Sequence, residues 1–184
     1  MIETTTYQRQ QRGALLLLAA FAGFILIVSV GGLAGRLRVN TTPSEPLGIW
    51  RIVLLDRAAQ VGDTVFVCLP TTATVMDGKT RGYLRPGLCP GGFGPLIKTI
   101  IAVGGQQVDV ASGVSVDGRV IPSSRPLARD GRGRPLRPYE GGVVPARSIF
   151  LHSAFSGSWD SRYFGPIPEE GILGLASEVL TFAP

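Results

Sequence analysis

From Gly13 to Gly35 the chain carries no charged residue, and Ser29 has the only side-chain hydroxyl there. As an α-helix these 23 residues extend about 34 Å, enough to cross the hydrocarbon core of a bilayer. A cleavable signal peptide has a shorter apolar core and a small-x-small exit, so the segment reads as an uncleaved anchor, with a removed signal as the minor alternative. Arg9 and Arg12 precede it and Arg36 and Arg38 follow it. The positive-inside rule is therefore nearly balanced and leaves the orientation open. The expected division is a short tail over 1–13, a transmembrane anchor over 14–35 and one domain over 36–184, a length suited to a single core.

That domain carries most of the chain's 25 glycines and 14 prolines, which argues for many turns and short strands, not a helical bundle. Strands are expected over 49–55, within 61–68 and over 95–103. A hairpin is expected from Val108–Val110 and Val114–Ile121, and further strands over 148–151 and 171–180. Leu69 to Pro95 reads as a long irregular surface excursion bracketed by Cys68 and Cys89. If the domain is exported, a disulfide closing that loop is the expected state, against two unpaired thiols. Two cysteines and one histidine lack the spacing of a metal site, and neither a metal nor a cofactor is expected. The net charge of +5 is arginine-based and too scattered to select a partner. The arginine-rich stretch 122–145 has only Tyr139 as an aromatic, so a solvated loop is the stronger reading and no nucleic acid is expected.

Two residues carry candidate chemistry. Ser44 lies in Asn40-Thr-Thr-Pro-Ser-Glu-Pro-Leu-Gly-Ile-Trp50, between two prolines that push Thr42 and Glu45 into extended conformations. Gly48 supplies a backbone geometry closed to other residues. A serine on a stiff, extended loop is well placed as a nucleophile; the bland alternative is a proline-rich linker after the anchor. Lys98 interrupts the apolar run Pro95-Leu-Ile-Lys-Thr-Ile-Ile-Ala-Val103, on one face with Leu96 and Ile100. Such a lysine is either an edge-strand guard against aggregation or a desolvated amine used as a base. Burial would bring its pKa from about 10.4 to near 8. Beside an exposed serine with no obvious histidine partner, the base is the better reading.

The order Ser44, Gly62-Asp-Thr-Val-Phe66, Lys98 before Ala102-Val-Gly-Gly105, then Ser158-Trp-Asp-Ser-Arg-Tyr-Phe-Gly-Pro166 resembles the type I signal peptidases. Within them it is most similar to the conjugative-transfer peptidases of the TraF type. The resemblance runs from about Val39 to the end, and its closing motif is its most specific part. It implies a mainly β domain of short antiparallel strands behind a single N-terminal transmembrane helix, with the tail cytoplasmic and the domain periplasmic at a bacterial inner membrane. It implies Ser44 as nucleophile and Lys98 as general base, a Ser-Lys variant of triad logic. The Thr42 hydroxyl and the Ser44 N–H match the oxyanion hole, Ser158 matches a hydroxyl that orients the lysine, and Asp160 and Arg162 match a supporting pair.

Two departures stand out: Glu45 where general signal peptidases have methionine, and His152-Ser-Ala where they have Gly-Asp-Asn. Both favour a specialised substrate over bulk secretion. The implied partners are the lipid bilayer and a membrane-bound pilin or preprotein, cut after small residues. A serine acyl-enzyme also permits head-to-tail joining, because an amine can replace water. A general signal peptidase I, or a non-catalytic component of a secretion channel, are the alternatives. A Ser-His-Asp hydrolase would need His152 and lacks a G-x-S-x-G elbow. A self-cleaving repressor-type protease would replace the anchor with a DNA-binding domain.

Overall fold

The computed structural model describes residues 3–183, and the chain divides into two units after Arg38. In the first, α1 spans Glu3–Ala34. Its segment Gln11–Gly32, with mean hydropathy 2.6, is long and apolar enough to cross a membrane. Leu16, Phe21, Leu26 and Ile27 are all exposed along it, the all-round apolar surface expected of a helix solvated by lipid. Met1 and Ile2, at the start of the expected tail, lie outside the described residues.

The second unit is mainly β. Its main sheet draws on β1 (Leu37–Asn40), β2 (Leu47–Val53), β3 (Thr64–Val67) and, beyond α2 (Ala73–Thr80) and the short β4 (Pro86–Cys89), on β5 (Leu96–Val103). A small sheet follows from β6 (Gln107–Val110), β7 (Val114–Val116), β8 (Arg119–Val120) and β9 (Gly142–Val143). The chain then returns to the main sheet with β10 (Ser148–His152), the one-turn α3 (Ser161–Phe164), β11 (Ile167–Pro168) and β12 (Ile172–Phe182). The seven-stranded order is β1-β2-β12-β3-β5-β10-β11, and the small sheet runs β8-β7-β6-β9. All pairings with a defined register are antiparallel.

β5 is apolar on both faces because it lies inside the sheet. Val65 of β3 is the register partner of Lys98 on one side, and His152 of β10 is paired with Thr99 on the other. The edge-strand reading of Lys98 is thereby excluded. Ile100 packs into the main core cluster with Val65, Val67, Leu151 and Ile167, whereas Ile97 joins Trp50, Ile52 and Phe66 in a separate one.

The stretch 69–95 is less irregular than its sequence suggests. Thr72 caps α2, accepting the Val75 N–H at 3.3 Å, and Leu69, Val75, Leu84, Cys89 and Phe93 are buried in the main cluster. An eight-residue helix with glycine inside it shows no apolar period, so its composition reads as a loop. Gly78 has a packing role: a Cβ there would run into the Trp159 ring, so the excursion butts against the closing motif. Cys68 and Cys89 are joined by a disulfide, with Cα atoms 5.5 Å apart.

Candidate active site

The loop carrying Ser44 is fixed from within by Asn40, the last residue of β1. The Asn40 amide Nδ2 donates to the carbonyls of Thr42, Glu45 and Pro46 at 3.0, 2.9 and 3.0 Å. Its Oδ1 accepts from the Thr42 N–H at 3.0 Å and from the Thr42 hydroxyl at 2.7 Å. Three carbonyls on one side and an N–H on the other leave the amide a single orientation. The Trp50 indole adds a bond to the Pro46 carbonyl at 2.9 Å. Gly48 adopts φ +130°, and a Cβ there would collide with the Leu180 carbonyl, so only glycine lets the loop rejoin β2 against β12. Ser44 itself is half-buried.

Lys98 is 3% exposed. Burial pushes its ammonium from 10.5 down to about 8. The carboxylates of Asp160 and Glu45 pull it back up, and the Arg162 guanidinium pushes it further down. Glu45 is pushed up from 4.5 to about 7, first by burial, with the Lys98 charge opposing and Glu178 adding to the rise. The residue after Ser44 therefore lies within the electrostatic reach of Lys98. The Ser44 carbonyl accepts from the hydroxyl of Ser153, the residue after β10. No hydrogen bond joins the Ser44 hydroxyl to Lys98 in this structure.

Asp160 and Arg162 are fully buried and form a two-pronged pair, Nε to Oδ1 at 2.7 Å and Nη2 to Oδ2 at 2.8 Å. Arg162 also donates to the carbonyls of Ser158 at 3.1 Å and Arg125 at 3.2 Å. Asp160 caps α3 and accepts the Ser153 N–H at 3.2 Å. The Ser158 hydroxyl is buried without a hydrogen-bond partner, and so is His152 Nε2. Burial keeps His152 neutral by pushing its pKa below the usual histidine value.

The family model for signal peptidase, peptidase S26, matches residues 9–181. The chain belongs to the S26 signal peptidase family. That family implies a serine peptidase. Among curated relatives, the chain is 54% identical over its full length to the probable conjugal transfer protein TraF of Sinorhizobium fredii, covering 98% of that protein. It is 50% identical over 95% of its length to the conjugal transfer protein TraF of Agrobacterium tumefaciens, covering 99% of it. A plasmid transfer protein TraF of Escherichia coli is 36% identical over 85% of the chain and is itself covered to 89%.

Within this S26 domain Lys98 lies in the electrostatic reach of Glu45, Asp160 and Arg162, Thr42 is held by Asn40 and Ser44 by Ser153, and the Ser158 hydroxyl is left without a partner. Asn40 had one usable signal: an asparagine opening a loop commonly bonds the backbone two residues on. Ser153 stood out only as part of the His152-Ser-Ala departure from the family pattern, and its contact could not be read from that, because its partner lies 109 positions away.

Proposed function

We propose that the chain is a membrane-anchored Ser-Lys endopeptidase of conjugal transfer. In this reading 1–13 form the cytoplasmic tail, 14–35 cross the inner membrane and 36–184 work in the periplasm. Its substrate is a membrane-bound, pilin-type precursor cut after small residues. The observation that carries the proposal is Lys98, an amine buried in the centre of a sheet, held near pH 8 and coupled to the residue beside Ser44. A purely structural position would favour an apolar residue there, because a desolvated ammonium is costly. The relatives' conjugal-transfer names support the process, and the disulfide suits an oxidising compartment.

Ser44 Oγ attacks the scissile carbonyl while Lys98 Nζ takes its proton. The oxyanion of the tetrahedral intermediate is held by the Ser44 N–H and the Thr42 hydroxyl. Thr42 must first release Asn40 Oδ1, to which it donates in the free enzyme. Lys98 returns the proton to the departing amine as the C–N bond breaks, leaving an ester on Ser44. Water, or the amine of a pilin end, then attacks that ester. Lys98 removes the attacker's proton and returns it to Ser44 as the ester breaks. Ser158 orients the lysine once substrate fills the cleft, and Asp160 with Arg162 fixes the floor beneath it.

The test uses purified full-length enzyme in detergent and a fluorogenic peptide with alanine on the acyl side of the scissile bond. Ser44→Ala removes activity, and so does Lys98→Arg, since a guanidinium stays charged. The wild-type kcat/KM rises with pH through an apparent pKa near 8. Cleavage by Ser44→Ala, or an active Lys98→Arg, refutes the assignment.

A further inference from the structure

The Ser44 loop is bound to the rest of the site through one residue that the mechanism above leaves without a role. Ser153 directly follows β10 and is 2% exposed. It makes three hydrogen bonds, each to a different part of the site. Its hydroxyl donates to the Ser44 carbonyl and accepts the Phe155 N–H at 3.2 Å. Its own N–H donates to Asp160 Oδ2 at 3.2 Å. His152, the residue before Ser153, pairs with Thr99, the neighbour of Lys98. Ser153 thus holds the backbone of the proposed nucleophile from the end of the strand beside the proposed base.

The Ser44 carbonyl shares a rigid peptide plane with the Glu45 N–H. Anchoring that oxygen fixes ψ of Ser44. The opposite end of the turn is already held, because the carbonyls of Glu45 and Pro46 are bound by Asn40. With ψ of Ser44 free, its Cβ could swing relative to Lys98 although the ends of the loop stayed in place. The Phe155 N–H occupies one lone pair of the Ser153 hydroxyl, which directs its proton at Ser44. The bond from the Ser153 N–H in turn sets this anchor in register with the buried Asp160–Arg162 pair.

We propose that Ser153 is a positioning residue, whose hydroxyl locks the Ser44–Glu45 peptide plane and whose N–H ties that lock to Asp160, so that the nucleophile loop and the site floor move as one body. This rests on the reading of Ser44 as nucleophile. Ser153 touches neither substrate nor the transferred proton. Its loss therefore affects the fraction of time Ser44 spends in attacking geometry, a term in kcat; small misplacements of reacting groups cost up to about 100-fold.

The experiment compares wild type, Ser153→Ala and Ser44→Ala, full-length in detergent, on the same alanine-containing fluorogenic peptide. Ser153→Ala is expected to lower kcat by about 10–100-fold, with KM within about twofold and the ascending pH limb at its wild-type midpoint, because the charged groups that act on Lys98, namely Asp160, Glu45 and Arg162, are unchanged. A folded Ser153→Ala with wild-type kcat overturns the proposal. So does a fall accompanied by a displaced pH limb, which would mean that Ser153 acts on the base. Should Ser153→Ala not fold, Ser153→Cys decides, because a thiol fills the space but is a weak donor. A tenfold loss of kcat supports the lock, and wild-type kcat overturns it. A cleaving Ser44→Ala would refute the nucleophile assignment itself, an outcome distinct from any of these.

Discussion

Replacing Lys98 with methionine should make the protein more stable while destroying its activity, and the size of the effect follows from burial. Lys98 holds its proton up to pH 10.5 in the unfolded chain but only up to about 8 when folded. Between those values the unfolded state binds more protons, so stability rises with pH across that window. Below pH 8 the lysine destabilises the fold by its full amount, about 3 kcal/mol, and above 10.5 the effect is gone. Methionine has similar length, fills the same apolar face beside Ile100 and Val65 and carries no proton. At pH 7 the Lys98→Met protein should therefore melt roughly 6–12 °C higher than wild type. The gap should close as pH approaches 10.5.

The assay is thermal unfolding of both full-length proteins in the same detergent, from pH 6.5 to 10.5. Most other titrating groups cancel in the difference. Glu45 does not cancel completely, because it loses the attraction of Lys98 and is pushed further up. Its own titration, centred near pH 7 in the wild type, falls at the low end of the assay, so the closing of the gap between pH 8 and 10.5 reports Lys98. A variant that is less stable at pH 7, or a gap that stays constant to pH 10.5, would mean that the ammonium is fully compensated by its neighbours. Lys98 would then remain an ammonium near pH 8 and could not serve as a base.

Asn40→Ala removes five hydrogen bonds and leaves half-buried carbonyls unpaired; it should cost about 1–3 kcal/mol and lower kcat, read by thermal melts and peptide turnover. Reducing the Cys68–Cys89 bond frees a loop with a sequence separation of 21; it should destabilise the domain by about 3 kcal/mol, seen as a lower melting temperature in dithiothreitol than in buffer. Alkaline phosphatase fused after Pro184 should be active in cells, and a stably expressed but inactive fusion would reverse the proposed orientation.

The longer strands were legible in the sequence because their cores alternate or run apolar between turn residues, whereas the short β1, β4, β9 and β11 were not. Leu96–Val103 and Thr64–Val67 fall within the expected spans, and the anchor helix follows from hydropathy alone. α2 was not legible, since its apolar residues are spaced by its contacts with Trp159 and the main core and not by a helical period. The site shows the same division. Ser44 and Lys98 stand out because each contradicts its local context, a hydroxyl between two prolines and a charge in an apolar strand. Asn40 and Ser153 do not, because an ordinary polar residue acquires its role only when distant backbone is brought to it.

The buried ion pair beneath Lys98 makes sense only in relation to that lysine. A lone Asp160 carboxylate in the same desolvated pocket would hold Lys98 firmly as an ammonium and remove it as a base. With Arg162 locked to both carboxylate oxygens, the two charges act on Lys98 in opposite senses, and desolvation decides the outcome. The pair therefore pulls on Lys98 less than its carboxylate alone would, and supplies geometry as well. Asp160 holds Ser153 and caps α3, while Arg162 gathers the carbonyls of Ser158 and Arg125. A buried pair of this kind seldom adds net stability over apolar packing, so its use here is organisational. Glu45 completes the balance from the loop side: near pH 7 it begins to ionise, and the negative charge it gains opposes further loss of the proton from Lys98. In the proposed mechanism this keeps the lysine close to the pH at which it can both take a proton from Ser44 and return it to a leaving amine.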